Sequence, residues 1–342
     1  MRVTFPSFDA CVPTDARRGA RDSVITGRGY LFSPPGFPIG RPSVVVMEGL
    51  GGLKESREIR YGRMLADWGY VALVVDSFGA RRLARAIETW RALRVTTAMM
   101  LADAFSGLRF LKQDLAVDPA AISIIGFSYG GMVSVLAAYE QIRSLFGRSC
   151  AERFAGHVNY YGCSVPRLED STAAGGSVLM LMAERDRNVS LTRTEQIALD
   201  LRQGGADVEL KIYENAYHQW DGSERKKCFV PVSLRDCHIL IDPALRLWDE
   251  RSGREITGRW SQLWFFARNM NWQGYHMLED ASVRDDSDAR LMDFLARVSR
   301  LASNLDPGFD PQSMRAASPL LTESALWPSC AQDIRTHQII RT

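Results

Sequence analysis

The chain contains no long hydrophobic run. Its longest apolar stretches, such as Val178 to Ala183, fall far short of the ~20 residues that a membrane-crossing helix needs, so no membrane partner is expected. None of its six cysteines forms a Cys-x-x-Cys pair, which removes the common zinc and redox motifs. Cys228 and Cys237 could pair in an oxidising compartment, but read more simply as two thiols. The opening stretch MRVTFPSFDACVPTDARRGARDS lacks the apolar core of a secretory leader, and the expected location is cytoplasmic. An excess of one charge is missing too. With 42 Lys and Arg against 40 Asp and Glu, the net charge is +2. The longest cationic cluster, Arg225-Lys226-Lys227, reads as a solvated loop rather than the basic stripe of a nucleic-acid binder. Repeats and low-complexity tracts are absent. Histidine is scarce, at five residues, which narrows any search for a catalytic base.

What is present is an ordinary globular composition, 46% apolar, enough for a buried core. Residues 1–22 are polar and read as an irregular N-terminal extension. SVITGRGYLFSP then alternates like a strand and ends in a Pro-Pro-Gly turn. SVVVMEG and YVALVVDS are short, continuous, β-branched runs, the pattern of strands buried on both faces. AISIIGF, HVNYYG, SVLMLMAE and VELKIYEN continue the series. Helical spacing appears between them, over about 54–68, 86–113 and 191–203, and again at 289–301. Strands alternating with helices predict an α/β fold with a mostly parallel sheet and helices on both faces. The loops at the C-terminal ends of such strands are where ligands bind. The main domain is expected over 23–303. An irregular insertion at about 221–285 carries Trp248, Trp260, Trp264 and Trp272, and a proline-bearing tail covers 304–342.

One loop concentrates chemical signals. IIGFSYGGM holds Gly126-Phe-Ser128-Tyr-Gly130. Gly-x-Ser-x-Gly is short enough to arise by chance, so its setting matters. Here it follows a buried strand and opens a helix, the setting of a nucleophile elbow. A serine hydroxyl needs a base to take its proton. Of the five histidines, His157 falls within a strand and reads as structural; His238, His276 and His337 follow no core strand. His218 comes just after VELKIYEN, at the correct sheet edge. A carboxylate to orient the imidazole should follow SVLMLMAE, where Asp186 and Glu184 compete; Asp186 lies further out of the strand and is preferred. The order Ser128, Asp186, His218 is that of the α/β-hydrolase fold. An oxyanion hole would combine the Tyr129 N–H with one from MEGLGGL, at Gly49 or Leu50.

VVVMEGLGGL, GYVALVVDSFGARR, VDPAAISIIGFSYGGM, LMAERDRNV and YHQWD together resemble the dienelactone hydrolase family, over about residues 24–221 plus the final helix. The resemblance implies a compact α/β-hydrolase acting on lactones or small carboxylic esters, with no metal or organic cofactor. Two departures stand out. Dienelactone hydrolases proper carry cysteine where Ser128 stands, which points to a general esterase. The insertion exceeds the family pattern and is placed to cover the site's mouth. By the same resemblance Glu48 matches a glutamate found near the nucleophile, where with serine its role is open between a substrate contact and a buried structural hydrogen bond. Arg81, in DSFGARR, is a candidate for a substrate carboxylate or a surface arginine, and Trp220 is a candidate pocket wall or, equally, a residue packed against the insertion. An acyltransferase, thioesterase or peptidase could use the same residues, and a non-catalytic ligand-binding fold is the remaining rival. The expected partner is a small ester or lactone. The oligomeric state is left open, a homodimer included.

Overall fold

The computed structural model describes residues 1–16, 23–36, 39–114, 116–162 and 166–302. Eight strands form the main sheet. The first three are β1 (Arg2–Phe8), β2 (Val24–Phe32) and β3 (Arg41–Met47). After β3 the chain makes a widened π turn at Glu55–Ile59, enters helix α1 (Arg60–Asp67) and returns as β4 (Val71–Val75). Helices α2 (Glu88–Arg94) and α3 (Thr97–Lys112) lead to β5 (Val117–Phe127). Helices α4 (Tyr129–Leu136) and α5 (Glu140–Phe146) lead to β6 (Gly156–Tyr160) and the short β7 (Pro166–Leu168). Then come β8 (Ser177–Ala183), helix α6 (Leu191–Gln203) and β9 (Asp207–Tyr213).

The spatial order is β1-β2-β4-β3-β5-β6-β8-β9. The six strands from β4 to β9 run parallel, while β2 is antiparallel to both β4 and β1. Both faces are covered, as the β-branched runs require. Gly107 of α3 lies against Val45, Leu73 and Val75, whereas Gly62 of α1 lies against Val74 and Phe32. Neighbouring β4 residues therefore face opposite helix layers. From β3 the chain moves to β4 on one side, then crosses to β5 on the other. The reversal makes a crevice beyond the ends of β3 and β5, the place where open α/β sheets hold ligands.

Four expectations need correction. Residues 1–22 are not wholly irregular, because Arg2–Phe8 pairs along its length with β2 as the sheet's edge strand. The helix expected over 86–113 is two helices, parted at Val95–Thr96, where the Thr96 side chain caps α3 by accepting the Met99 N–H. The insertion is not structureless. It contains β10 (Cys228–Val230), β11 (Ile239–Ile241), β12 (Leu247–Asp249), β13 (Arg254–Ile256), helix α7 (Arg259–Asn269) and β14 (Tyr275–Met277). Strands β13, β12 and β11 extend a small sheet from β7. The last helix, α8 (Ala281–Ala302), begins inside the stretch assigned to the insertion, after Asp280 accepts the Ser282 and Val283 N–H groups. Cys228 is exposed and Cys237 is buried. The expected tail lies outside the described residues.

Candidate active site

Ser128 stands between the end of β5 and the start of α4, with φ 51° and ψ −109°. A side-chain-bearing residue rarely adopts such a conformation unless its surroundings impose it. The flanking glycines show the constraint. A β-carbon on Gly126 would lie 1.9 Å from the Gly130 carbonyl oxygen, and one on Gly130 would lie 2.4 Å from that of Met47. The turn is fixed further by the Ser128 N–H donating to Tyr160 O at 3.0 Å.

The sharp turn lifts the Ser128 hydroxyl to 3.1 Å from His218 Nε2. His218 Nδ1 lies 2.6 Å from Asp186 Oδ2. A carboxylate only accepts, so Nδ1 carries the proton and Nε2 is left to accept from the serine. Asp186 Oδ1 accepts the Asn188 N–H at 2.8 Å, which holds the loop after β8 in shape. Glu184 points elsewhere: its Oε2 takes the Asn215 N–H on an exposed surface. Ser128, Asp186 and His218 are all buried. The imidazole is held between two tyrosines, with ring centroids 4.8 Å (Tyr161) and 5.0 Å (Tyr275) away and both edge-on. Tyr161, at φ 40°, follows β6, while Tyr275 comes from the insertion. His218 also bridges to Met277, and the Leu278 N–H donates to its carbonyl at 3.3 Å.

The loop after β3 lies alongside Ser128. A β-carbon at Gly49 would sit 3.5 Å from that of Ser128. The Gly49 N–H is engaged by Glu58 Oε1 at 3.3 Å, while Glu58 Oε2 accepts the Lys54 N–H at 3.0 Å. Arg57 neutralises this fully buried carboxylate through a hydrogen bond from Nε at 2.8 Å. No acceptor among the described residues takes the Leu50 N–H. The Tyr129 side chain turns away, its hydroxyl donating to Val95 O at 3.2 Å.

The side chains of the three candidate substrate contacts are each engaged within the fold. Arg81 pairs with Asp9 at 2.8 Å and with the buried Asp103 at 2.6 Å, so its guanidinium pins the N-terminal strand region to α3. Glu48 is wholly buried, and its Oε1 accepts the Phe78 N–H at 2.9 Å. Burial, reinforced by nearby Asp76, pushes its pKa well above the usual carboxylate range. Trp220 is also wholly buried. Its ring makes tilted contacts with Tyr160 and Tyr213 and an edge-on one with Tyr161, and its Nε1–H donates to Ser287 Oγ at 3.1 Å, so it packs against the sheet and α8. The residues missed from sequence are Tyr161, Tyr275, Arg57 and Glu58. NYYG at a strand end was the available hint for Tyr161, and the ring's contact with His218 has no sequence signal.

Among the described residues, no group of three or more His, Cys, Asp or Glu could hold a metal ion, and no helix is long and apolar enough to cross a membrane. Protein usf of Aquifex pyrophilus is 22% identical over 215 residues, 61% of this chain and 88% of its own length. A dienelactone hydrolase-like promiscuous phosphotriesterase from metagenomic libraries shares the fold, with a TM-score of 0.52 and 18% identity over 87% of this chain and 98% of its own. The model of the dienelactone hydrolase family matches residues 28–231, from β2 through the turn at Ser128 to the start of the insertion. That match spans more than half of the chain and takes in Ser128, Asp186 and His218, and the chain therefore belongs to the dienelactone hydrolase family.

Proposed function

We propose that this chain is a serine hydrolase of carboxylic esters or lactones. The observation that carries the reading is the continuous hydrogen-bonded run from Ser128 Oγ through His218 to Asp186 at the crevice of the sheet. His218 Nε2 takes the Ser128 proton as Oγ attacks the carbonyl carbon, and Asp186 stabilises the imidazolium that forms. The developing oxyanion is received by the Tyr129 N–H, at the positive end of α4, and by the Leu50 N–H. Leu50 is favoured over Gly49 because Glu58 already accepts the Gly49 N–H. His218 then passes its proton to the departing alkoxide. A water, deprotonated by the same nitrogen, attacks the acyl-enzyme and releases the acid and Ser128. The scheme requires no metal or organic cofactor.

The test is Ser128→Ala assayed with short p-nitrophenyl esters and with a fluorophosphonate probe. Hydrolysis should fall by about 10⁴-fold or more, and labelling should disappear. Full hydrolysis by the variant, with the fold intact by circular dichroism, would falsify the assignment.

A further inference from the structure

Residues 49–54, the loop after β3, are tied at both ends to one carboxylate. Glu58 Oε1 accepts the Gly49 N–H, and Glu58 Oε2 accepts the Lys54 N–H. Inside the loop, the Gly52 N–H donates to Gly49 O at 2.9 Å, and Arg91 of α2 donates from Nη1 to Leu50 O at 2.8 Å. The peptide between Gly49 and Leu50 is therefore held from both sides. Its carbonyl is fixed by Gly52, and in a trans peptide the N–H points the opposite way. The Leu50 N–H is thus given a set direction, while no acceptor among the described residues takes it.

Glu58 is itself fixed. It lies in the π turn, where the Ile59 N–H reaches back to Lys54 O at 3.2 Å. Single π turns are uncommon and recur at functional sites. Arg57 grips Glu58 Oε1 through Nε and Nη2, at 2.8 and 2.5 Å, and both side chains are wholly buried. The Arg57 guanidinium also stands 5.5 Å from the centre of the Phe127 ring, one residue before Ser128. The pair therefore joins the loop after β3 to the end of β5. A buried ion pair adds little net stability, because desolvating two charges offsets their attraction. What this one adds is the shape of the loop that it holds.

We infer that Glu58 and Arg57 are positioning residues for the oxyanion: their clasp on residues 49–54 holds the Leu50 N–H in place before substrate arrives. The inference rests on the ester-hydrolase reading above. A donor fixed in advance needs no reorganisation as charge develops on the carbonyl oxygen, and a donor that must first be ordered loses that advantage. The neutral ground state draws little on such a donor, so the loss should fall on kcat rather than on KM.

The test compares the wild type with Glu58→Gln, Glu58→Asp and Arg81→Ala. It uses p-nitrophenyl butyrate and a trifluoromethyl ketone, whose carbonyl adds a serine oxygen to give a tetrahedral oxyanion. Glu58→Gln leaves one acceptor oxygen for two loop ends. It should lower kcat about 10²-fold with KM within about 2-fold, and weaken inhibition by the ketone by a like factor. Glu58→Asp keeps the charge facing Arg57 but shortens its reach to the loop, and should lose about 10-fold in kcat. Arg81→Ala, destabilised away from this loop, should keep both kcat and ketone inhibition, which separates positioning from a general loss of stability. Unchanged kcat in a folded Glu58 variant, a loss confined to KM, or an equal loss in Arg81→Ala overturns the positioning role and leaves the hydrolase reading in place. Absence of both hydrolysis and fluorophosphonate labelling in the wild type overturns the two together. If Glu58→Gln fails to fold, Glu58→Asp decides the matter.

Discussion

At Ser128 the backbone sits at φ 51°, in a region that costs a residue with a β-carbon roughly 1–3 kcal/mol. The turn persists because glycines on both sides let neighbouring backbones pass where no side chain fits. This part of the site was legible as residue types in order, since Ser128, Asp186 and His218 each follow a recognisable buried strand. Arg81 was not legible. A cation beyond a strand end looks the same whether it is free or paired, and its partners Asp9 and Asp103 lie far off in sequence. Its variant is therefore predicted to act on stability. Arg81→Ala strands Asp103, which is 1% exposed, and should cost about 3 kcal/mol in chemical denaturation. The ratio of kcat/KM for neutral and carboxylate-bearing esters should stay as it was. A shift of that ratio toward neutral esters at unchanged stability would restore Arg81 as a substrate contact.

Among the elements, the short strands of the insertion contribute more than cover. Strand β14 sets Tyr275 edge-on against the His218 imidazole and bridges to His218 at Met277. An edge-on aromatic contact is worth about 0.5–1.5 kcal/mol, which converts to about a 2- to 10-fold rate effect if it is lost from His218 acting as proposed. Tyr275→Ala should accordingly lower kcat on p-nitrophenyl butyrate by roughly that factor and slow fluorophosphonate labelling in parallel. Unaltered kcat and labelling would show that the ring is packing alone. These elements escaped sequence reading because three-residue strands are too short to display alternation. Strand β1 escaped for another reason. Pro6 interrupts it, and proline argues against a strand unless the strand lies at an edge, as this one does. The split between α2 and α3 is marked only by the Thr96 cap, inside a stretch that otherwise keeps helical spacing.

For the whole molecule, the buried β-branched runs were enough to predict the parallel sheet. The sequence could not show which titratable groups the sheet would trap. His157, on β6, is fully buried; its Nδ1–H donates to Ser134 O at 3.0 Å. Desolvation lowers its pKa from 6.5 to about 4. The unfolded chain thus binds a proton between these values that the folded one refuses. Stability from this group is fully present above pH 6.5 and is lost as pH falls toward 4, by about 3 kcal/mol over the whole interval. Urea denaturation at pH 7 and pH 4.5 should show the loss, and His157→Gln should flatten it. An equal slope in the variant would place the acid sensitivity elsewhere. The bridge between His218 and Met277, with the Asp280 N–H donating to Trp220 O at 2.9 Å, has a consequence of another kind. It brings the two ends of the excursion together beside His218. Closing a loop twice as long costs only about 0.6 kcal/mol more, so the length and content of what lies between these anchors are nearly unconstrained by the closure itself. The anchors therefore fix Tyr275 and Met277 beside His218, while the stretch that precedes them can change length with little effect on how the two ends meet.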